Sequence, residues 1–225
     1  MVEEVNNIVK YQASLGQDCS TLLIMRYLGL KVIPFAFDHV ATYSSDYMKI
    51  LTPTFLNART SDVNVYIKDY PSQLNKLYND MKQQNENELV RRRVSFHAHI
   101  GDKYHGMYID NVHIDGEVLT RNVRLDSFAT FMVSVQKHIL PIAKNVILTN
   151  ISNTNAAIRD YGNESILFLR TIKHRMSGAE CKHLCAFQNN ILRVFPNAKF
   201  VVLTDVSENV NQQSNIVYAK FDHWK

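Results

Sequence analysis

The C-terminal half of the sequence alternates short apolar runs with a stretch of helical spacing, and this alternation restricts the fold more than any other feature. Residues 145–149, 166–172 and 200–204 are short, apolar and rich in β-branched side chains, as in strands covered on both faces. Residues 179–194 carry apolar side chains at helical spacing. Strands that alternate with helices form parallel sheets with helical crossovers. We therefore expect an α/β domain of three layers, with a mostly parallel central sheet flanked by helices.

The same two periodicities predict the other elements. They are a strand over 8–15, a buried helix that ends at Gly29, an extended piece over 31–37, a helix over 72–81, a strand over 94–100 and a helix over 128–139. Ser127 or Asp126 is expected to cap the last of these helices, and Pro141 is expected to stop it.

Length, charge and cysteine content bound the organisation and the surroundings of the chain. With 225 residues, of which 46% are hydrophobic, the sequence is typical of one globular domain over residues 1–225. The net charge of +4 is spread along the chain and gives no nucleic-acid signal. A secretory start and an apolar run of about 18 residues are both missing from the sequence, so we expect a cytoplasmic protein without a membrane partner. Three cysteines without a dense framework also fit a reducing compartment.

Cys19 lies where the first predicted strand turns into the first predicted helix. Chemistry in a parallel sheet collects at the carboxyl ends of the strands. The first turn of a helix offers unpaired N–H groups and a positive dipole end, and both stabilise a thiolate or an oxyanion. A cysteine in an apolar helix is otherwise a small core residue. The position therefore favours either a nucleophile or a packed side chain.

Three short motifs in the first forty residues are similar to those of a known family. They are SLGQDCS at 14–20, RYLGLK at 26–31 and FD at 37–38. The set resembles a family of unknown function described as papain-like cysteine peptidases, whose members carry Ser-Leu-Gly-x-x-Cys, Gly-Leu-Arg and Pro-Phe-Asp-Trp. Ala36 stands where the family has proline, and His39 stands where it has tryptophan. The resemblance implies that Cys19 attacks an acyl carbonyl in a peptide or another acyl substrate.

A cysteine nucleophile needs a base within hydrogen-bond reach, usually a histidine that a carboxylate or an amide orients. His113, with Asp115 close in sequence, matches a His-Asp pair of the family and is the first choice. Asp38 is a candidate to orient the base or to cap a following element. The oxyanion donors are expected in the turn that contains Gly16, Gln17 and Ser20.

Other histidines keep alternatives open. His97 and His99 are two apart on a predicted strand and share a face, which also suits a metal or a phosphate. His105 lies in a loop bounded by glycines. The family label implies the papain-like α+β arrangement, whereas the alternation predicts a layered domain. In a layered esterase or acyltransferase, the late His223 would compete with His113 as the base.

Two further clusters bear on the class of function. Cys181 and Cys185 share a helix face, with His174 upstream, but a core stripe explains them better than zinc does. Three arginines at 91–93 suit phosphate or RNA, yet a short charge run is usually a solvated flank. We expect neither a metal nor a cofactor. The rival hypothesis is a non-catalytic ligand- or protein-binding domain in which Cys19 is packed.

Overall fold

The computed structural model describes the chain in segments. They are residues 10–15, 20–30, 32–36, 38, 40–41, 49, 51–66, 72–83, 93–101, 107–172, 178–204 and 216–220. Contacts divide the chain into two compact units, of which unit 1 is Met1–Asn57 with Asn150–Lys225 and unit 2 is Ala58–Thr149. Each unit is described by itself, and the single domain expected over 1–225 stays a prediction.

The elements have the following bounds. The strands are β1 (Tyr11–Ser14), β2 (Val40–Ala41), β3 (Val63–Tyr66), β4 (Arg93–Ile100), β5 (Met107–Asp115), β6 (Ile166–Ile172), β7 (Lys199–Thr204) and β8 (Ile216–Lys220). The α-helices are α1 (Ser20–Tyr27), α2 (Pro53–Leu56), α3 (Ser72–Gln83), α4 (Gly116–Asn122), α5 (Phe128–Ser134), α6 (Leu140–Tyr161) and α7 (Gly178–Val194). A 3₁₀ turn covers Thr60–Asp62 and a π-helical segment covers Val135–Ile139.

Unit 1 contains a parallel sheet with the strand order β1-β6-β7-β8. In the β1–β6 pair, Tyr11 lies opposite Ile166 and Ser14 lies opposite Leu169. A single parallel bridge joins Gln12 to Val32 on the other side of β1. The chain therefore returns beside β1 after α1, and it returns beside β6 after α7. Parallel pairing with helical crossovers confirms the predicted α/β fold of three layers.

Phenylalanine rings fill the core of unit 1. Phe168 of β6 lies with its ring centroid 5.4 Å from that of Phe35 and 5.6 Å from that of Phe195, and it stacks on Phe200 at 5.7 Å. Phe35, Phe168 and Phe195 are fully buried. Offset and edge-to-face contacts at these distances add to the stabilisation that burial of the rings provides.

In unit 2, β4 pairs antiparallel with β3 on one side and with β5 on the other. Phe96, Ala98 and Ile100 of β4 are buried, as the alternating pattern of residues 94–100 predicts. The predicted helix over 72–81 is α3, and its Tyr78 ring lies 5.5 Å from the ring of Phe131 in α5. Both sequence predictions are confirmed.

The first helix, α1, confirms one prediction and contradicts another. Gly29 ends α1 with φ of +67°, a left-handed conformation that glycine adopts without steric cost. The prediction that the helix is buried was wrong for one face. Leu22 and Met25 are buried, whereas Tyr27 is 92% exposed. Among the described side chains of α1, one face is therefore buried and another is open to solvent.

The prediction of a strand over residues 145–149 was wrong, because these residues belong to α6. Buried side chains recur every four residues along the chain at Ile139, Ala143, Ile147 and Ile151, which is the spacing of a helix face. Residues 145–149 are short, apolar and partly β-branched, which is typical of a buried strand. A run of five residues is too short for its periodicity to distinguish a strand from a helix.

Pro141 does not stop the helix as predicted. The preceding segment Val135–Ile139 is π-helical, and the Leu140 N–H donates to the Val135 carbonyl five residues earlier. Proline lacks the N–H that an α-helix uses, and its ring collides with the carbonyl four residues earlier. A wider turn relieves that collision, and α6 continues beyond the proline to Tyr161. The cap at Ser127 is confirmed, since its Oγ accepts from the Thr130 N–H at 3.1 Å.

A pair of substitutions at the exposed Asn145 tests the helical assignment of residues 145–149. We expect Asn145→Ala to be more stable than Asn145→Val by about 0.5 kcal/mol, because a helix favours alanine, whereas a strand would favour the β-branched valine. Urea unfolding followed by circular dichroism measures the difference. Equal stabilities of the two variants would contradict the assignment.

Candidate functional site

The chain leaves β1 and β6 in opposite directions across the sheet of unit 1. From β1 it passes through α1 to Val32 on the outer side of β1, and from β6 it passes through α7 to β7. Two right-handed crossovers that run in opposite directions cover opposite faces of a sheet. Open α/β sheets bind ligands beyond the carboxyl ends of the strands at such a reversal of strand order. The candidate site is therefore the carboxyl end of β1 and β6.

Both main-chain groups of Leu15, the residue after β1, are held by β6. The Leu15 N–H donates to the Leu169 carbonyl at 2.7 Å, and the Leu15 carbonyl accepts from Nη1 of Arg170 at 3.0 Å. Arg170 is only 4% exposed. Burial of a guanidinium is costly unless its N–H groups find acceptors, and the Leu15 carbonyl is one of them.

Arg170 was not singled out from the sequence, although it left a signal. It is the only charged residue of the strand predicted over residues 166–172. A charged residue is unusual in a strand whose sequence predicts burial on both faces, and it therefore indicates a functional position.

The predicted nucleophile and most of its turn, Gly16, Gln17 and Cys19, lie outside the described residues. The described chain resumes at Ser20, which begins α1. In sequence, Cys19 directly precedes the first residue of α1 and follows Leu15 by four positions. The boundaries of β1 and α1 thus match the strand-to-helix turn that the sequence predicts around Cys19.

Asp38 closes a tight turn in unit 1. Its Oδ2 accepts from the Phe35 N–H at 3.2 Å, and its own N–H donates to the Phe35 carbonyl at 3.1 Å. Its Oδ1 is buried and has no hydrogen-bond partner in the described part of the chain. Burial raises the pKa of Asp38 to about 6, although the Phe35 N–H and the charge of Arg26 act in the opposite direction. The carboxyl group therefore titrates near neutral pH.

Asn150 of α6 holds this turn from the helix side. Its Nδ2 donates to the Asp38 carbonyl at 2.6 Å and to the Ala36 carbonyl at 3.3 Å. The side chain is buried, and the hydroxyl of Thr154 donates to the Asn150 carbonyl at 2.7 Å. Nothing in the sequence around Asn150 indicated this role, because its two acceptors lie more than a hundred residues away.

The predicted histidines are distributed over several elements. His97 and His99 lie on β4, as predicted, and the buried His97 has its ring centroid 6.1 Å from that of Tyr66. The backbone of His113 lies in β5 opposite Ser95, and the exposed Asp115 ends the same strand.

The side chain of His113 and the whole of His39, His105, His174 and His223 lie outside the described residues. The pairing of Cys19 with His113 and Asp115 therefore stays a prediction. The same holds for a role of Asp38 toward the base.

The remaining clusters show no metal site within the described residues. No group of three histidine, cysteine, aspartate or glutamate side chains there is arranged to hold a metal ion. Cys185 of α7 carries a free, half-buried thiol, and it follows the buried Leu184 in sequence. Cys181 belongs to α7, but its side chain is not described, and the arginines at 91 and 92 also lie outside the described residues. None of the described helices is long and apolar enough to cross a membrane.

Comparison with protein-family models, with curated proteins and with solved structures found no match to this chain. The resemblance to papain-like cysteine peptidases rests on the motifs of the first forty residues and, less specifically, on the pair of His113 and Asp115. Inferences about function therefore depend on the chain's own residues and topology.

Proposed function

We propose that the chain is a cysteine-nucleophile hydrolase or acyltransferase that acts beyond the carboxyl ends of β1 and β6, with Cys19 as the nucleophile. The observation that carries the proposal is topological. Cys19 lies five residues after the end of β1 in sequence and directly before α1. The crossovers reverse direction between β1 and its neighbour β6. The position immediately before α1 also suits an anion, because the first turn of a helix has unpaired N–H groups.

The reaction follows from the chemistry of a thiol. A base removes the proton of Cys19, and the thiolate forms a bond to the acyl carbon while the carbonyl electrons move to its oxygen. N–H groups of the turn over 16–20 stabilise that oxyanion. The tetrahedral intermediate collapses as the bond to the leaving group breaks, and the base returns its proton to that group. Water or another acceptor then releases the acyl group from Cys19 by the same steps.

Topology adds a candidate for the base. His174 follows the end of β6 by two residues, whereas His223 follows the end of β8 by three. Neighbouring strands lie about 4.8 Å apart, so β6 adjoins β1 while β8, three positions away, lies about 14 Å from it. We therefore propose His174 as the base, with the family-derived His113 and the late His223 as the alternatives.

Alkylation by iodoacetamide between pH 5 and pH 9 tests the nucleophile. We expect Cys19 to react with an apparent pKa at least one unit below the ordinary value of about 8.5, because an adjacent base and a helix start both stabilise a thiolate. Replacing the true base with alanine should remove that shift. The variants are Cys19→Ser, His174→Ala, His113→Ala and His223→Ala, with the labelled peptides identified by mass spectrometry.

Cys185 serves as the internal control, since its thiol is free and half-buried in the middle of α7. If Cys19 reacts only after unfolding, it is a packed residue. The hydrolase proposal would then give way to a non-catalytic binding domain. If Cys19 is acidic in all three histidine variants, a different group activates it.

A further inference from the structure

We infer that Arg170 is a positioning residue for Cys19. It fixes the chain at Leu15, four residues before the nucleophile, and places a buried positive charge at that end of β1. This inference rests on the proposed function. It concerns how the thiol is made acidic, which the choice of histidine does not by itself explain.

The geometry ties Leu15 to β6 through two hydrogen bonds. One is a main-chain bond to Leu169, of the kind that continues a parallel ladder. The other is donated by the Arg170 guanidinium to the Leu15 carbonyl. In a longer strand, a main-chain N–H of the neighbouring strand would donate to that carbonyl instead. The last described residue before Cys19 is thus held at both its N–H and its carbonyl.

Apolar packing alone does not favour an arginine at this position. The other described side chains on the same face of β6 are those of Ile166 and Phe168, which are fully buried and apolar. Replacing a buried ion by an apolar side chain of similar size is often neutral or stabilising. The guanidinium also stays charged over the pH range in which thiols titrate.

The guanidinium lies at the carboxyl end of β1, which is the end of the sheet where the proposed reaction takes place. Arg170 touches Leu15, and Cys19 is four residues further along the chain. A buried positive charge stabilises a nearby anion more strongly than an exposed one, because little water screens it. It would favour both the thiolate of Cys19 and the oxyanion that forms during its attack.

Two substitutions separate the charge from the hydrogen bond. Arg170→Gln keeps an N–H donor without the charge, and Arg170→Lys keeps the charge without the planar fork. We expect the glutamine variant to raise the apparent pKa of Cys19 by about one unit, a tenfold loss of thiolate at pH 6, and the lysine variant to raise it less. Arg159→Gln, at an exposed arginine of α6, should leave the pKa unchanged.

The measurement is the pH profile of Cys19 alkylation in the full chain, with thermal unfolding recorded for each variant. A lower melting temperature with an unchanged Cys19 profile in both Arg170 variants would make Arg170 a structural residue and overturn the inference. If the glutamine variant fails to fold, the lysine variant decides by the same criterion. A wild-type Cys19 that titrates normally overturns the proposed function and this inference together, whereas an acidic Cys19 in every variant overturns this inference alone.

Discussion

Replacing Asn150 with alanine should lower the free energy of unfolding by about 3 kcal/mol, because the change removes the Nδ2 donor from two buried carbonyls. These are the carbonyls of Ala36 and Asp38, and each accepts from Nδ2 of Asn150. A buried acceptor that loses its partner costs about 1–3 kcal/mol. Asn150→Asp should be worse, since a carboxylate offers no donor and repels both oxygens.

Asn155 provides a matched control in the same helix. Its Nδ2 donates to the Leu56 carbonyl at 2.8 Å, but that bond is exposed. Water replaces the lost donor in Asn155→Ala, so we expect a loss below about 1 kcal/mol. Urea unfolding of the two alanine variants measures the difference. Equal losses would mean that the buried amide of Asn150 does not stabilise the turn at Asp38.

Local sequence patterns predict much of this fold because strands and short helices leave periodic traces. Residues 166–172 and 200–204 were recognised as buried strands, and the parallel sheet of unit 1 follows from their alternation with α7. The failure at residues 145–149 has a physical cause. The π-helical segment before Pro141 lets a helix pass a residue that usually ends one.

The candidate site could be predicted only where its signal is local. The strand-to-helix turn at Cys19 is visible in sequence, since β1 ends and α1 begins close to it. Arg170 and Asn150 act on segments far away in sequence, so only the fold reveals their partners. The reversal of strand order also depends on the pairing of Gln12 with Val32, which no short motif encodes.

Stability should depend on pH through Asp38, the buried carboxyl group that the Asn150 contact helps to hold. Its pKa of about 6 in the folded chain lies above the ordinary value of 3.8 because burial disfavours the charged form. The folded chain therefore binds this proton more tightly than the unfolded chain does. The stabilisation is fully present below pH 3.8 and is lost as the pH rises through 6.

The rise from 3.8 to about 6 corresponds to about 3 kcal/mol. Most of this free energy is lost between pH 4 and pH 7.5. Asp38→Asn removes the charge and keeps an oxygen that can accept from the Phe35 N–H. From pH 4 to pH 7.5 we expect the free energy of unfolding of Asp38→Asn to rise by about 2 kcal/mol relative to that of wild type.

Urea unfolding of wild type and Asp38→Asn at pH 4 and pH 7.5 gives the four free energies that this comparison needs. Asp62 and Asp160 have lowered pKa values, caused by hydrogen bonds from the Arg59 N–H and from the Arg159 side chain, so they oppose the trend of Asp38. Asp62 and Asp160 are present in wild type and in Asp38→Asn alike, so their contributions cancel when the two free energies of unfolding are subtracted. A difference between the chains that does not change with pH would show that Asp38 ionises in the folded chain as it does in the unfolded one. Its buried Oδ1, which has no hydrogen-bond partner among the described residues, would then have to reach water or a cation when the group is charged.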